Sequence, residues 1–294
     1  MKTLLTVLLI VFYTASSFSQ KITNDFFPLH NIIRGDSTYN TFYKQVALIK
    51  EAGYDAIEIN NVESFEGMKA ALDKNRFRAS YFYVKLTLNA PYMDTRVKEY
   101  IHQLKGTQTI IAPFVLSNAR FPVGSHLADT LVVRLVRQVA DWAKEAGLQV
   151  AIYPHAGFYV ERTDHALQLI TDARKKNLGL TFNLCHWLAT TTASERNGLK
   201  AHLKVLKPHL KMITICGAND VITTKANMWN DYILPLGTGS YDTYGLLKYC
   251  LNDLKLKVPV GVQCYDIKGD KYQLVYNTIK VWKQYREQME QQNR

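Results

Sequence analysis

Eight short runs rich in β-branched and aromatic residues alternate with longer helical stretches, and this alternation constrains the fold more than any other feature. The runs lie at 26–33, 54–60, 79–88, 108–116, 148–154, 178–183, 211–216 and 258–264. Between them stand segments of helical spacing such as TFYKQVALIKEAG and LVVRLVRQVADWAKEAG. Each of these ends in a glycine, Gly53 or Gly147, the residue best suited to the left-handed position that stops a helix. Strand–helix alternation predicts a parallel α/β fold. Eight such units close a (β/α)8 TIM barrel, whereas an open doubly wound sheet usually has about five or six strands. No GxGxxG follows the first run. The chain is therefore predicted to be a single-domain α/β barrel.

The N-terminal segment MKTLLTVLLIVFYTASSFSQ places one Lys before an apolar run, with small polar residues ending at Ser17-Phe18-Ser19. That is the three-part pattern of a secretory signal peptide. The apolar run is too short for a comfortable transmembrane helix. No Cys lies near the expected cut, so a lipid anchor is not expected. Removing residues 1–19 leaves 20–294 as the barrel domain, periplasmic or secreted and without a membrane anchor. The net charge of +11 comes from Lys and Arg scattered over many helical stretches, which reads as solvated surface and not as a nucleic-acid footprint. The four cysteines, Cys185, Cys216, Cys250 and Cys264, form no CxxC pair and so no zinc-knuckle spacing. They are expected to be buried structural thiols, although the compartment would permit a disulfide.

In a barrel of this kind the chemistry sits at the C-terminal ends of the strands. The polar residues there are Glu58, Asn60, Lys85, Tyr153, His155, Asn183, His186, Thr214, Gln263 and Tyr265. Strand periodicity puts Tyr153 with His155, and Gln263 with Tyr265, on one side of their strands. In LTFNLCHWLA the sixth run ends at Asn183 and leaves His186 at a loop mouth. So many polar strand ends exceed what core packing requires and predict a polar pocket.

The segments LIKEAGYDAIEI, GLQVAIYPHAGFYVERTDHALQLI, NLGLTFNLCHWLA, ILPLGTGSYDTYGLLKYCL and VPVGVQCYD together resemble the xylose-isomerase-like TIM barrels, in order along the chain. That superfamily includes sugar isomerases and epimerases and metal-dependent apurinic endonucleases. In the epimerases the resemblance implies one divalent cation held by a Glu, an Asp, a His and a Glu after strands five to eight. The matching positions here read Tyr153, Asn183, Thr214 and Gln263. None keeps the family's ligand, and neutral amide oxygens hold a hard divalent ion weakly. The inherited site is expected not to bind metal as its relatives do. The two glutamates that move the substrate proton in those relatives are missing as well.

Other residues must then carry the chemistry. His155, in YPHAGF, is the first candidate for general base or acid, and His186 holds the position that contacts substrate in the family. Glu58, among apolar neighbours in AIEI, would become a proton carrier if burial raised its pKa. With Glu161, these three residues form the candidate set for a relocated divalent metal. Lys85 is a candidate to polarise a carbonyl or bind an acidic group. Asn183 and Gln263 suit sugar hydroxyls, and Tyr153, Tyr265, Trp187 and Phe158 offer apolar faces to a sugar ring. Gly237 and Gly239 are expected to shape a rim loop, with no phosphate-cradle pattern around them.

The function expected is a carbohydrate-active enzyme of the sugar isomerase/epimerase type, taking a proton from beside a sugar carbonyl. A lyase acting on a keto-glycoside by the same step and β-elimination, and a non-catalytic sugar-binding barrel, stand beside it. The expected partner is a small carbohydrate, with no nucleic acid.

Overall fold

The β-branched runs pair in parallel into one eight-stranded sheet in the order β1-β8-β7-β6-β5-β4-β3-β2. The computed structural model describes residues 21–223 and 226–292, so the signal-peptide expectation lies outside the described residues. The strands are β1 (Phe26–Pro28), β2 (Ile57–Ile59), β3 (Ala79–Leu86), β4 (Ile110–Val115), β5 (Val150–Ile152), β6 (Leu178–Asn183), β7 (Leu210–Ile215) and β8 (Val260–Val262). All eight fall inside or within one residue of the expected runs. Most are shorter, losing residues at one or both ends where the chain enters or leaves the ladder. β1 ends at Pro28, and the next residues form a 3-10 turn at His30–Ile32 where the sequence suggested more strand.

Helices follow the strands around the outside. They are α1 (Phe42–Ala52), α2 (Phe65–Asn75), α3 (Val97–Gln103), α4 (Asp129–Glu145), α5 (Thr163–Ala173), α6 (Leu184–Thr190), α7 (Ala193–Asn197), α8 (Leu199–Leu206), α9 (Trp229–Tyr232), α10 (Thr243–Lys248) and α11 (Lys271–Gln291). α1 starts on the Thr41 side chain, which accepts from the Lys44 N–H, and stops at Gly53 in the left-handed conformation. Gly147 likewise takes a positive φ just after α4. α4 buries Val132, Val136, Val139 and Ala143, the three- and four-residue spacing that lays one apolar stripe on the sheet.

Two apolar layers result. The larger lies between sheet and helices. The smaller fills the barrel itself with Phe27, Leu29, Ala56, Tyr81, Ile110, Ala112, Ala151, Tyr153 and Met212. These side chains fill the middle of the barrel and separate the cavity at the C-terminal end of the strands from another at the N-terminal end, which Phe27, Ala56 and Ile110 line from above. The four cysteines are buried free thiols. Among the described residues, no helix is long and apolar enough to cross a membrane.

Gly179 on β6 shows how closely the outer layer is packed. A Cβ there would lie 2.2 Å from the His209 carbonyl oxygen, an atom of the backbone. Gly179→Ala is expected to lower stability by about 1–3 kcal/mol through overpacking. Gly147→Ala meets nothing within 4 Å and should cost only the left-handed strain, about 1–2 kcal/mol. Urea unfolding midpoints of the two variants check both values.

Candidate active site

A cavity of about 300 Å³ opens at the C-terminal mouth of the barrel, lined by residues that include Asn31, Arg34, Glu58, Asn60, Tyr81, Tyr83, Tyr153, His155, His186, Trp229, Gln263 and Tyr265. Seven of the residues singled out in the sequence therefore meet there: Glu58, Asn60, Tyr153, His155, His186, Gln263 and Tyr265.

His155 sits in the turn after β5, which its own N–H closes on the Val160 carbonyl at 3.0 Å. The Nδ1 of its ring lies 2.8 Å from the Ala156 carbonyl oxygen. A carbonyl can only accept, so Nδ1 carries the proton and Nε2 keeps the lone pair. The ring stacks on Phe158 at 3.9 Å. Burial pushes its pKa down to about 4, against a weaker raising effect of the Ala156 hydrogen bond. It is therefore a neutral, desolvated base with its tautomer fixed.

His186 corrects one expectation. The chain does not leave β6 into an open loop but turns at once into α6, which places His186 in the first turn of a helix and buries it. Neither ring nitrogen has a hydrogen-bond partner within the protein. Its ring lies 3.9 Å from that of His155 and 5.3 Å from that of Trp229. Burial, and then the neighbouring His155, hold it neutral well below the ordinary imidazole range.

Glu58 ends β2 with only 2% exposure. Its Oε2 accepts from the His30 backbone N–H at 2.6 Å, and its Oε1 accepts from the Tyr81 hydroxyl at 2.8 Å and more weakly from Asn60. Burial raises its pKa while these donors pull the other way, and burial prevails. Tyr81, Tyr83 and Tyr153 are phenols that burial keeps un-ionised far above neutrality.

Two of the positions that match the family's metal ligands, Asn183 and Tyr153, are tied to each other. Asn183 donates its amide to the Tyr153 hydroxyl, and its Oδ1 accepts from the Cys185 thiol at 3.0 Å. It lies beneath the cavity wall, beside a much smaller space behind His186. Gln263 uses Oε1 to accept from the Asn31 side chain and from the Cys264 and Tyr265 backbone N–H groups. That fixes its amide orientation and leaves the NH2 group as the end that can serve a ligand. Thr214 is fully buried. A neutral phenol, a hydroxyl and two committed amides do not fit a divalent ion.

Three other expectations need correction. Lys85 is exposed and lines a neighbouring cavity with Met93, Asp94 and Phe114, beyond the stacked Tyr83 and Phe114 rings. Trp187 turns away to stack on His202. Glu161 accepts from the Gly157 N–H and lines the small space with Asn183, so it does not join Glu58, His155 and His186 in a metal set. Among the described residues, the one group with metal-holding geometry is His126, Asp129 and His165, on the outer rim.

The sequence reading missed Asn31, Arg34, Tyr81, Tyr83 and Trp229. Extending strand one to residue 33 hid the turn that carries Asn31 and Arg34. The period-two pattern Tyr81, Tyr83, Lys85 was the available signal for the two tyrosines.

A depressed histidine pKa has a consequence for stability. Below pH 6.5 the unfolded chain binds a proton at residue 155 that the folded chain refuses until about pH 4. The stabilisation is complete above 6.5 and is lost as pH falls toward 4. Between about pH 7.5 and about pH 5, His155→Asn should lose less stability than the unaltered protein, by on the order of 2 kcal/mol. Urea unfolding of both proteins at the two pH values checks this.

The comparisons with known proteins agree with the barrel fold. The 3-keto-D-glucoside 4-epimerase of E. coli shares the fold at a TM-score of 0.66, with 14% identity, over 88% of this chain and 98% of that one. The D-allulose 3-epimerase of Methylomonas sp. does so at 0.67, with 16% identity, over 91% and 99%. An IOLI protein with a bound zinc atom matches at 0.64, with 16% identity, over 92% and 99%. No curated protein matches the sequence. Residues 46–274 match the family described as the xylose isomerase-like TIM barrel, and the chain belongs to that family.

Proposed function

We propose that the protein is an acid–base enzyme of the sugar isomerase/epimerase type, moving the proton on the carbon beside the carbonyl of a keto sugar. One observation carries this reading. Proton carriers reach the cavity from different walls, Glu58 from β2 and the His155–His186 pair from beyond β5 and β6. In the ring order β2 and β6 stand four strands apart, so the two walls face each other. Epimerisation needs such a pair, one group to take the proton from one face and another to return it to the opposite face.

In this mechanism Nε2 of His155 takes the proton, and the Ala156 carbonyl holds its ring in the receiving tautomer. The carbanion's charge moves to the carbonyl oxygen as an enediolate. Neutral donors aimed at that oxygen stabilise it: the Gln263 amide and the Tyr153 hydroxyl, whose own lone pair already accepts from Asn183. Glu58, with a raised pKa and Tyr81 beside it, returns a proton from the other wall. Trp229 and Tyr265 offer ring faces at the mouth, and Arg34 is the cation there. No step runs through a metal at the inherited positions, because their side chains do not fit one.

The likeness to a 3-keto-D-glucoside 4-epimerase, and a cavity with room for a sugar ring, support a keto-glycoside as substrate. The signal-peptide pattern of the first residues supports a site of action outside the cytoplasm. A lyase on the same substrate is the second reading. It is favoured by the hydrogen bonds that already occupy both Glu58 oxygens. If Glu58 returns no proton, the enediolate can instead expel its β-substituent.

The test is to incubate the purified chain with 3-keto-glycosides and free ketoses in D2O and follow the products by NMR. Deuterium should enter the carbon beside the carbonyl. His155→Ala should slow that exchange by about 10²–10⁴-fold while sugar binding persists. An epimer as product supports the first reading and a released aglycone the second. Sugar binding without exchange on any substrate would overturn both and leave a binding barrel.

A further inference from the structure

His126, Asp129 and His165 stand apart from the cavity and take no part in the chemistry above. His126 lies in the loop between β4 and α4, Asp129 opens α4, and His165 is in the first turn of α5. The Nδ1 of His126 is 2.9 Å from Asp129 Oδ2, and the Nε2 of His165 is 2.8 Å from Asp129 Oδ1. The two imidazole rings lie 3.9 Å apart. Tyr159 backs the cluster by donating its hydroxyl to Asp129 Oδ1 at 2.8 Å.

We propose that these three side chains form a binding site for a zinc-type divalent cation, separate from the barrel-mouth cavity. Their ligand atoms all lie within 4.8 Å of one another, close enough to share one ion. Two imidazoles and one carboxylate are the donor set of a first-row transition ion and not of magnesium or calcium, which favour oxygen.

Charge and protonation agree with the geometry. An imidazole must be neutral to ligate. Each ring now turns an N–H toward Asp129, so binding requires each proton to move to the other nitrogen of its ring. The proton of His126 moves to the solvent side, since that side chain is half exposed. The Nδ1 of His165 is buried and has no partner within the protein, so moving the proton there exchanges an unsatisfied buried acceptor for an unsatisfied buried donor. No redox step occurs. The open side at His126 admits the ion and leaves a position for water.

His126 also holds a left-handed backbone, with φ at 59°, which costs a non-glycine residue of the order of 1 kcal/mol or more. That turn brings its ring over His165. The bound ion would tie the loop after β4 to the start of α5. The same loop is already bonded to the β5–α5 turn that carries His155, through Gly124 N–H to the Tyr159 carbonyl and Ala128 N–H to the Tyr159 hydroxyl. The expected effect is a stiffer rim beside the cavity.

The experiment strips the full chain with chelator and then titrates it with Zn2+ or Co2+ alone. One ion per chain is expected, with visible d–d bands for Co2+ and a higher thermal midpoint. His165→Ala and Asp129→Asn should weaken binding by more than about 100-fold, beyond what loss of an outer partner costs. His126→Asn keeps a residue that tolerates the left-handed turn, so its folded state keeps loss of binding interpretable. His155→Ala should bind as the unaltered protein does. No stoichiometric uptake would overturn the proposal. So would uptake that survives in His126→Asn and His165→Ala but disappears in His155→Ala.

Discussion

Two hydrogen bonds between Phe26 and Asp55 close the ring where the two end strands of the sheet meet. Asp55 N–H donates to the Phe26 carbonyl at 2.9 Å, and the Phe26 N–H donates to the Asp55 carboxylate at 2.8 Å. A parallel sheet exposes unpaired backbone at any free edge, and only closure removes both edges at once. A side chain can do the work of a strand here because β1 and β2 are only three residues each. Closure has a direct effect on the site. It brings the turn after β1 against the end of β2, and the His30 N–H of that turn is then the donor on Glu58.

The second constraint is desolvation. Phe27, Tyr81, Tyr153 and Met212 fill the barrel beneath the cavity, so any polar group above them must find partners or stay neutral. Each residue there meets that demand differently. Glu58 gathers donors on both oxygens, Gln263 saturates its carbonyl, and the histidines give up their charge. The positions that hold a cation in the family show the same rule. Once no carboxylate remains there, no ion is needed to neutralise one, and Asn183 with Tyr153 and Cys185 becomes an internal hydrogen-bonded chain. The result is a pocket rich in neutral donors with one carboxylate, suited to charge that appears during a reaction more than to charge already on a ligand.

This explains which parts of the molecule were legible in the sequence. Strand positions were, because β-branched runs and glycine stops are local signals, and Gly53 and Gly147 fall where expected. His155 and Tyr153 were found together because two residues of spacing past a strand is a local relation. His186 was found by position but misplaced in environment, since nothing in LCHWLA separates a loop from a one-turn start of helix. Lys85 shared the period-two face of Tyr81 and Tyr83, yet strand length decides depth: β3 runs eight residues and lifts Lys85 past the cavity. Arg34 and Trp229 were out of reach because the loops that deliver them are set by tertiary packing.

The rim cluster shows the same limit in its strongest form. His126 and Asp129 are three apart and form a local pair, but His165 lies thirty-six residues beyond Asp129. Only the ring of strands makes them neighbours, by setting α4 beside α5. Successive helices of a closed barrel start side by side, so their first turns form pairs that no sequence window contains. The first turn of a helix favours an acid such as Asp129, whose charge complements the positive end of the helix dipole. A histidine in the next helix then meets that acid across the groove. Polar clusters between adjacent helix starts are therefore a natural product of barrel closure, and the same closure that builds the cavity also builds the rim on which His126, Asp129 and His165 converge.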